Sequence, residues 1–193
     1  MPQISAKSLR ILVMNAVIKE PSQSQPTSPN NPASTLRNHL YDDLQVGQQD
    51  SMQRTLRAED IQLFALASGD FNPAHLDPDY AAKTPFKAVI AHGMWGGALI
   101  SAVLGTRFPG PGTIYLSQSL RFSAPVYIGD TITVTLTVKE KHDAKRRVTM
   151  DCQCTNQDGK VVISGEALVI PPAQPMEWAP RNIPQVQLLS TNS

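Results

Sequence analysis

The strongest constraint on the fold is an uncharged run from Met94 to Leu104, after which the sequence pattern changes. The run reads MWGGALISAVL and carries no charge on any side. A helix that is apolar all round is buried all round, and this one is too short to span a bilayer. The run therefore predicts a core helix that other elements surround.

The residues that follow alternate with a period of two, which is typical of strands with one buried face. TITVTLTV (131–138) places its threonines on one face and its aliphatic side chains on the other. RVTMDCQC (147–154) repeats the pattern, TIYLSQSLRF and KVVISGEALVI are further β-rich runs, and Asp143-Ala144 and NQDG supply turns. A sheet with one apolar face and a lone buried helix satisfy each other when the sheet curls round the helix. We predict an α+β hot-dog fold, an antiparallel sheet wrapped around one long buried helix.

The ends of the chain differ in composition from its middle. The stretch EPSQSQPTSPNNPAST (20–35) is rich in Ser, Pro, Asn and Gln, which is typical of disorder. KSLRILVMNAVIKEP before it has the charge pattern of a signal-peptide core, but no small-residue cleavage site follows. We expect residues 1–39 to be a disordered or weakly ordered extension, or the product of a start assigned too far upstream, 40–172 to be the domain and 173–193 a tail.

Composition narrows the function classes. A chain of 193 residues has room for one domain with a real core, and a net charge of +1 gives no reason to expect a nucleic-acid or membrane partner. Cys152 and Cys154 lie on the same side of a predicted strand, too close along the chain for an ordinary disulfide. We interpret them as buried thiols in a reducing compartment, the cytoplasm, and expect no metal site because no His/Cys cluster supplies the remaining ligands.

The loop SGDFNPAHLDP (68–78) carries the candidate chemistry. Asp70 and His75 are five positions apart, and the intervening Asn72-Pro73 pair restricts the backbone, which keeps the loop tight and rigid. Gly69 ends a helix predicted over the preceding residues, and Asp77 followed by Pro78 predicts the start of another. In an arbitrary protein such an Asp is usually a turn residue and such a His is usually structural.

From about Asp42 to Pro171 the chain resembles the MaoC-like (R)-specific enoyl-CoA hydratases, which have the hot-dog fold. The matching segments are SGDFNPAHLDPDYA, VIAHGMWGGALISAVLG, FPGPGTIYLSQSLRFSAPVYIGD and GEALVIPP. The first two, in this order and spacing, carry the family's hydratase signature. The chain is especially similar to the hydratase part of bifunctional proteins that also carry a phosphate acetyltransferase domain, for which we expect no counterpart here.

The resemblance implies a role for particular residues. Asp70 and His75 correspond to the catalytic dyad, and Gly93 corresponds to the glycine whose N–H binds the thioester oxygen. Ser101, in the central helix, is expected to shape the site. Asn72 is equally well explained as a structural residue or as part of the site lining. Tyr80 and Phe86 fall in the segment that overhangs the acyl tunnel in relatives, although ordinary packing explains them equally well.

The implied reaction is the reversible addition of water to trans-2-enoyl-CoA to give (R)-3-hydroxyacyl-CoA. One water between Asp70 and His75 adds to C3, and a proton returns to C2 on the same face. The N–H of Gly93, at the positive end of a helix dipole, stabilises the thioester oxygen. The resemblance also implies a homodimer with the acyl-CoA site between protomers, and the chemistry requires no metal or redox cofactor.

Two rival functions remain open at this point. A hot-dog acyl-CoA thioesterase would direct water to the carbonyl carbon, and a non-catalytic acyl-binding or assembly subunit would not need the dyad. His92 is expected to be a structural hydrogen-bonding residue at the helix start and not a second base. The basic cluster KEKHDAKRR (139–147) is expected to be a solvated hairpin tip, with attraction of CoA phosphates as the less favoured alternative.

Overall fold

The structure, a computed structural model, describes residues 35–179 and residue 186. The prediction of disorder for residues 1–34 therefore lies outside the described residues. The strands are β1 (Leu36–Arg37), β2 (Gln49–Thr55), β3 (Ile114–Gln118), β4 (Arg121–Phe122), β5 (Thr131–His142), β6 (Arg147–Thr155), β7 (Val161–Ile170) and β8 (Glu177–Trp178). The helices are α1 (Ala58–Ser68), α2 (Pro73–Leu76), α3 (Pro78–Ala81) and α4 (Gly93–Thr106).

A six-stranded antiparallel sheet forms the main layer, in the order β2-β5-β6-β7-β3, with β4 also paired to β7. The alternation in the sequence decides which face of this sheet is buried. Every second residue of β5 as far as Val138, and of β6 throughout, is at most 1% exposed. This confirms the predicted inward set of Ile132, Val134, Leu136, Val138, Val148, Met150, Cys152 and Cys154. The hot-dog prediction is confirmed, because these side chains and one face of α4 belong to a single core.

Helix α4 is buried on only one side. Trp95, Ile100 and Val103 pack into the core, whereas Met94 is 55% exposed and Ser101 is exposed as well. The prediction that this helix is buried all round is therefore wrong for the single chain. The sheet covers one face of α4, and the described part of the chain contributes no element that covers the other.

The link between β3 and β4 passes very close to β7 at Gly165. A Cβ atom at this position would lie 1.9 Å from the backbone oxygen of Ser119. The amide of Ser119 donates to the carbonyl of Glu166 over 2.9 Å, and the Ser119 hydroxyl accepts from the amide of Glu166 over 3.0 Å. Glycine at 165 is what lets this link approach the strand, and the link leads directly into β4 beside the site described below.

Two short strands extend the described fold beyond the predicted domain limits of 40–172. Strand β1 pairs antiparallel with β8, and the Asn38 side chain donates to the carbonyls of Pro111 and Gln174 and accepts from the amide of Met176. The last few residues of the predicted extension and the first of the predicted tail are thus joined to each other. A two-residue strand gives no periodicity, so composition alone set those limits.

The basic hairpin tip is braced by the short 3₁₀ helix Tyr41–Asp43. The Tyr41 hydroxyl donates to Asp143 over 2.6 Å, and the cationic groups of Lys141 and Arg146 lie 4.4 and 4.6 Å from the centroid of its ring. Arg146 also forms an ion pair with Asp42. Part of the predicted solvated tip is therefore engaged in contacts within the chain.

Candidate active site

The SGDFNPAHLDP loop is built from two consecutive helix caps. Gly69 ends α1 in the left-handed conformation, with φ of 76°. The Asn72 side chain then accepts from the amide of Ala74 and caps α2, whose first residue is Pro73. Asp77 caps α3 in the same way, as the Asp-Pro pair predicted. His75 thus stands on a single helical turn that is capped at its start and followed directly by a second capped turn.

Helix α2 was not expected from the sequence. Asn72-Pro73 combines an N-cap residue with proline at the first helical position, which is the signal we recognised at Asp77-Pro78. From the sequence, the Asn-Pro pair is predicted to stiffen the loop, and Asn72 is either a structural residue or part of the site lining. The pair stiffens the loop because Asn72, which is exposed, caps α2 with its side chain.

Asp70 and His75, the predicted dyad, lie close together. A carboxylate oxygen of Asp70 and a ring nitrogen of His75 are no more than 4.8 Å apart. Two hydrogen bonds of about 2.8 Å to one water at a tetrahedral angle span about 4.6 Å. This upper limit is compatible with a single water molecule that bridges the two side chains.

The orientation of the His75 ring follows from its backbone partner. Its Nδ1 lies 2.9 Å from the carbonyl oxygen of Ile90. Because a carbonyl oxygen only accepts, Nδ1 must carry the hydrogen, and the neutral ring then has its free lone pair on Nε2. The contact with Ile90 thus selects the tautomer that leaves Nε2 able to accept a proton.

His92 lies directly behind the dyad. It is 3% exposed, its Nε2 lies 2.9 Å from the backbone oxygen of Asp70, and its ring centroid is 3.9 Å from that of His75. The expectation of a structural hydrogen bond at the start of the helix is confirmed. That its partner is the main chain of Asp70, the predicted catalytic aspartate, could not be predicted from the sequence.

Gly93 is the first residue of α4, so its N–H has no partner within the helix. A Cβ atom at this position would lie 3.0 Å from the Phe122 ring. The absence of a side chain therefore allows both the close approach of Phe122 and access to the N–H. Its location at the positive end of the α4 dipole suits an oxygen that gains negative charge.

A largely apolar cavity of about 340 Å³ is lined in part by His75, His92 and Gly93. Its walls come from α2, the segment before α4, the first turn of α4, the end of β4 and the residues after it, and one residue of β7. The lining residues are His75, Phe86, Ile90, Ala91, His92, Gly93, Trp95, Gly96, Phe122, Ser123, Ala124, Pro125, Val126 and Ile163. Of these, sequence reasoning assigned only His75, Phe86 and Gly93 to the site, because the others, apart from His92 and Ser123, are ordinary apolar residues or glycine that the topology brings together.

Other predicted site residues lie outside this cavity. Ser101 comes eight residues after Gly93, about 12 Å further along α4, on its exposed face. Tyr80 is 48% exposed, and neither it nor Asn72 is among the lining residues. Asp70 is exposed beside His75 and does not line the cavity either. Within a single chain, the structure therefore does not bring Ser101 or Tyr80 to the predicted site.

Asp70, His75 and His92 are close enough to consider as metal ligands, since one ligand atom of each lies within 4.8 Å of the others. The rings of His75 and His92 stack with an interplanar angle of 31°. One nitrogen of each ring already has a backbone partner, since Nδ1 of His75 contacts the oxygen of Ile90 and Nε2 of His92 contacts the oxygen of Asp70. The arrangement suits proton handling better than metal binding, and our expectation of no metal stays a prediction.

Comparison with known proteins identifies the family. Residues 43–158 match the model of the MaoC like domain. The chain belongs to this family. It is 53% identical to an (R)-specific enoyl-CoA hydratase of Rhodospirillum rubrum over 142 residues, which cover 74% of this chain and 98% of that protein. It is 47% identical to a 3-hydroxybutyryl-CoA dehydratase of Methylorubrum extorquens over 69% of this chain and 85% of that one.

A solved structure gives the same result for this MaoC-like chain. The unliganded R-hydratase PhaJ1 of Pseudomonas aeruginosa superposes with a TM-score of 0.77 and 47% identity, over 80% of this chain and 99% of that one. The family assignment made from the sequence motifs is confirmed. No helix in residues 35–179 is both long and apolar enough to cross a membrane.

Proposed function

We propose that this protein is an (R)-specific enoyl-CoA hydratase, which adds water reversibly to trans-2-enoyl-CoA. The observation that carries the proposal is the spacing of Asp70 and His75, which one water can bridge beside an apolar cavity that begins at Gly93. Relatives that cover most of the chain and are named for hydration or dehydration of such thioesters support the reaction class.

In the proposed mechanism the dyad activates water for attack on C3. The Asp70–His75 pair takes a proton from the water, and the C3–O bond forms as the C2–C3 π bond breaks. The electron pair moves toward the thioester oxygen, which accepts a hydrogen bond from the N–H of Gly93. The Asp70–His75 pair then returns a proton to C2, so that water is added across the double bond on one face.

The direct test uses Asp70→Asn and His75→Gln, each assayed with crotonyl-CoA by loss of the conjugated-enone absorbance. Removal of a general acid or base is expected to lower kcat by roughly 10²–10⁴-fold. Asp79→Asn and His142→Gln are matched controls, because they make the same chemical changes at residues outside the dyad. Asp79 lies on α3, and His142 ends β5 at the hairpin tip. Both controls are expected to keep wild-type turnover. Wild-type turnover in either dyad variant would overturn the assignment of the dyad.

The thioesterase alternative is distinguished in the same assay. A hydratase consumes the enone and releases no thiol, whereas a thioesterase releases free CoA. Thiol release that matches enone loss in rate, and that disappears in Asp70→Asn, would assign the site to hydrolysis instead.

We further propose that the active form is a homodimer joined along β3. The edge strand β3 exposes Ile114, Tyr115 and Leu116 by 55%, 38% and 40%, whereas the opposite edge strand, β2, reads QDSMQRT. An apolar sheet edge favours association, and a two-fold axis lets the same edge of a second copy pair with it. Light scattering should give twice the mass of the chain, and Leu116→Lys should shift the protein toward monomer. A wild-type monomer at micromolar concentration would refute this.

The cytoplasm is the proposed compartment. Cys152 and Cys154 are both free and buried. Burial raises the pKa of the Cys152 thiol to about 11 and that of Cys154 to about 12, so both thiols are protonated and unreactive at neutral pH. Free thiols without a disulfide are usual where the compartment is reducing.

A further inference from the structure

His92 contacts every part of the proposed site. It precedes Gly93 directly in the chain, its Nε2 lies 2.9 Å from the backbone oxygen of Asp70, and its ring stacks on His75 at 3.9 Å between centroids. The Phe64 ring, from α1, lies 5.0 Å from it. The components that the reaction needs come from a loop, a one-turn helix and the start of α4, and His92 is in contact with all three.

Burial of this imidazole has an energetic cost. Its Nδ1 is buried and has no hydrogen-bond partner within the part of the chain that the structure describes. A polar atom that is buried without a partner destabilises the folded state, and an apolar ring of similar shape would avoid that cost. Since packing alone favours a different side chain, the contribution of histidine here must come from the other nitrogen.

The role of that other nitrogen is to hold Asp70. A carbonyl oxygen accepts only, so Nε2–H of His92 donates to the main chain of Asp70, a residue that is exposed and lies in a loop between two helices. The hydrogen bond therefore connects the main chain of Asp70, and through it the carboxylate, to the helix start that carries Gly93. The His75 ring also packs against His92.

We propose that His92 is a positioning residue for hydration, which fixes Asp70 through its main chain and His75 through ring contact and so sets the gap that holds the water. The inference rests on the proposed function. Misplacement of catalytic groups by about 1 Å can lower a rate by roughly 10²-fold, so an effect on kcat is expected even though His92 itself takes no proton.

The matched pair His92→Gln and His92→Asn tests the hydrogen bond. The two side chains carry the same amide, but the Gln amide nitrogen falls near Nε2 of the histidine and that of Asn falls near Nδ1. We expect His92→Gln to keep kcat for crotonyl-CoA within about tenfold of wild type and His92→Asn to lose roughly 10²-fold, with KM changed by less than about threefold in both. His92→Phe keeps a ring against His75 without a donor, and it should resemble the Asn variant.

A stability control separates positioning from general loosening of the fold. Val148→Ala truncates a fully buried residue of β6 that does not line the cavity, and it should lower Tm without lowering kcat at 25 °C. Equal kcat losses in the Gln, Asn and Phe variants would overturn the proposal, as would kcat within twofold of wild type in all three. If His92→Phe does not fold, the Gln and Asn pair decides the result. A wild-type protein that fails to hydrate crotonyl-CoA would remove the proposed function and this inference together, whereas active wild type with unaffected variants removes only the inference.

Discussion

Gly165→Ala should destabilise the protein more than almost any other single added methyl group. The new Cβ would lie 1.9 Å from the oxygen and 2.8 Å from the carbonyl carbon of Ser119, and 3.2 Å from the Cα of Leu120. All three are backbone atoms, so no side-chain rotation relieves the overlap. The link between β3 and β4 must move away from β7.

The size of the effect follows from what the movement breaks. Overpacking of a close contact costs about 1–3 kcal/mol. Displacement of Ser119 also removes its two hydrogen bonds to the main chain of Glu166, each contributing about 0.5–1.5 kcal/mol. The sum is about 2–6 kcal/mol, compared with a total stability of roughly 5–15 kcal/mol for a typical domain.

Urea denaturation at one fixed protein concentration measures this loss, since the proposed dimer makes stability depend on concentration. With an m-value of about 2 kcal/mol/M, a loss of 3 kcal/mol lowers the midpoint by about 1.5 M. Gly105→Ala is the matched control, because its Cβ meets no atom within 4 Å, and it should be neutral or stabilising by up to about 1 kcal/mol. A Gly165→Ala protein within about 0.5 kcal/mol of wild type would refute the close-approach argument.

Three further predictions follow from packing and titration. Gly96→Ala places a Cβ 2.2 Å from Cδ1 of Ile163 and 3.6 Å from its Cγ1. Because Ile163→Val removes only the Cδ1 methyl, adding it to Gly96→Ala should recover about 1 kcal/mol of the free energy of unfolding in urea, and strictly additive losses would contradict this. Burial, followed by the hydrogen bond to a carboxylate, raises the pKa of Tyr41 to about 12 from its ordinary value of 10.0, so the native state retains a proton that the unfolded state loses. The stability of wild type relative to Tyr41→Phe should be constant below pH 10 and fall between about pH 10 and 12, whereas a flat difference would contradict the assignment. Cys152 and Cys154 should not react with a thiol reagent at pH 7 until the protein unfolds, and rapid labelling of the native protein would contradict their burial.

The sheet could be predicted from the sequence because its signal is periodic. Threonines alternate with aliphatic residues along 131–138, and a strand with one buried face needs that pattern to place its apolar side chains inward. The helix–sheet arrangement followed from the lack of charge in α4. The extent to which α4 is buried could not be predicted from the sequence, because an uncharged helix face can be covered either by the chain itself or by another molecule.

The site could be predicted in part. Asp70, His75 and Gly93 belong to motifs whose order and spacing are specific. The structure places Asp70 close to His75, and His75 and Gly93 both line the cavity. Phe122 and Ile163 also line the cavity, but they lie on strands distant in sequence and have no chemistry that distinguishes them from core residues. Ser101 was expected at the site from the family resemblance, yet two helical turns separate it from Gly93.

In the proposed mechanism one Asp70–His75 pair delivers both parts of water to a single face of the enoyl thioester. Hydration of crotonyl-CoA in D₂O, followed by NMR and chiral analysis of the product, shows to which faces the hydroxyl and the deuterium are added. We expect (R)-3-hydroxybutyryl-CoA with one deuterium at C2 on the same face as the new hydroxyl. The (S) product, deuterium on the opposite face, or a mixture of the two faces would refute the mechanism.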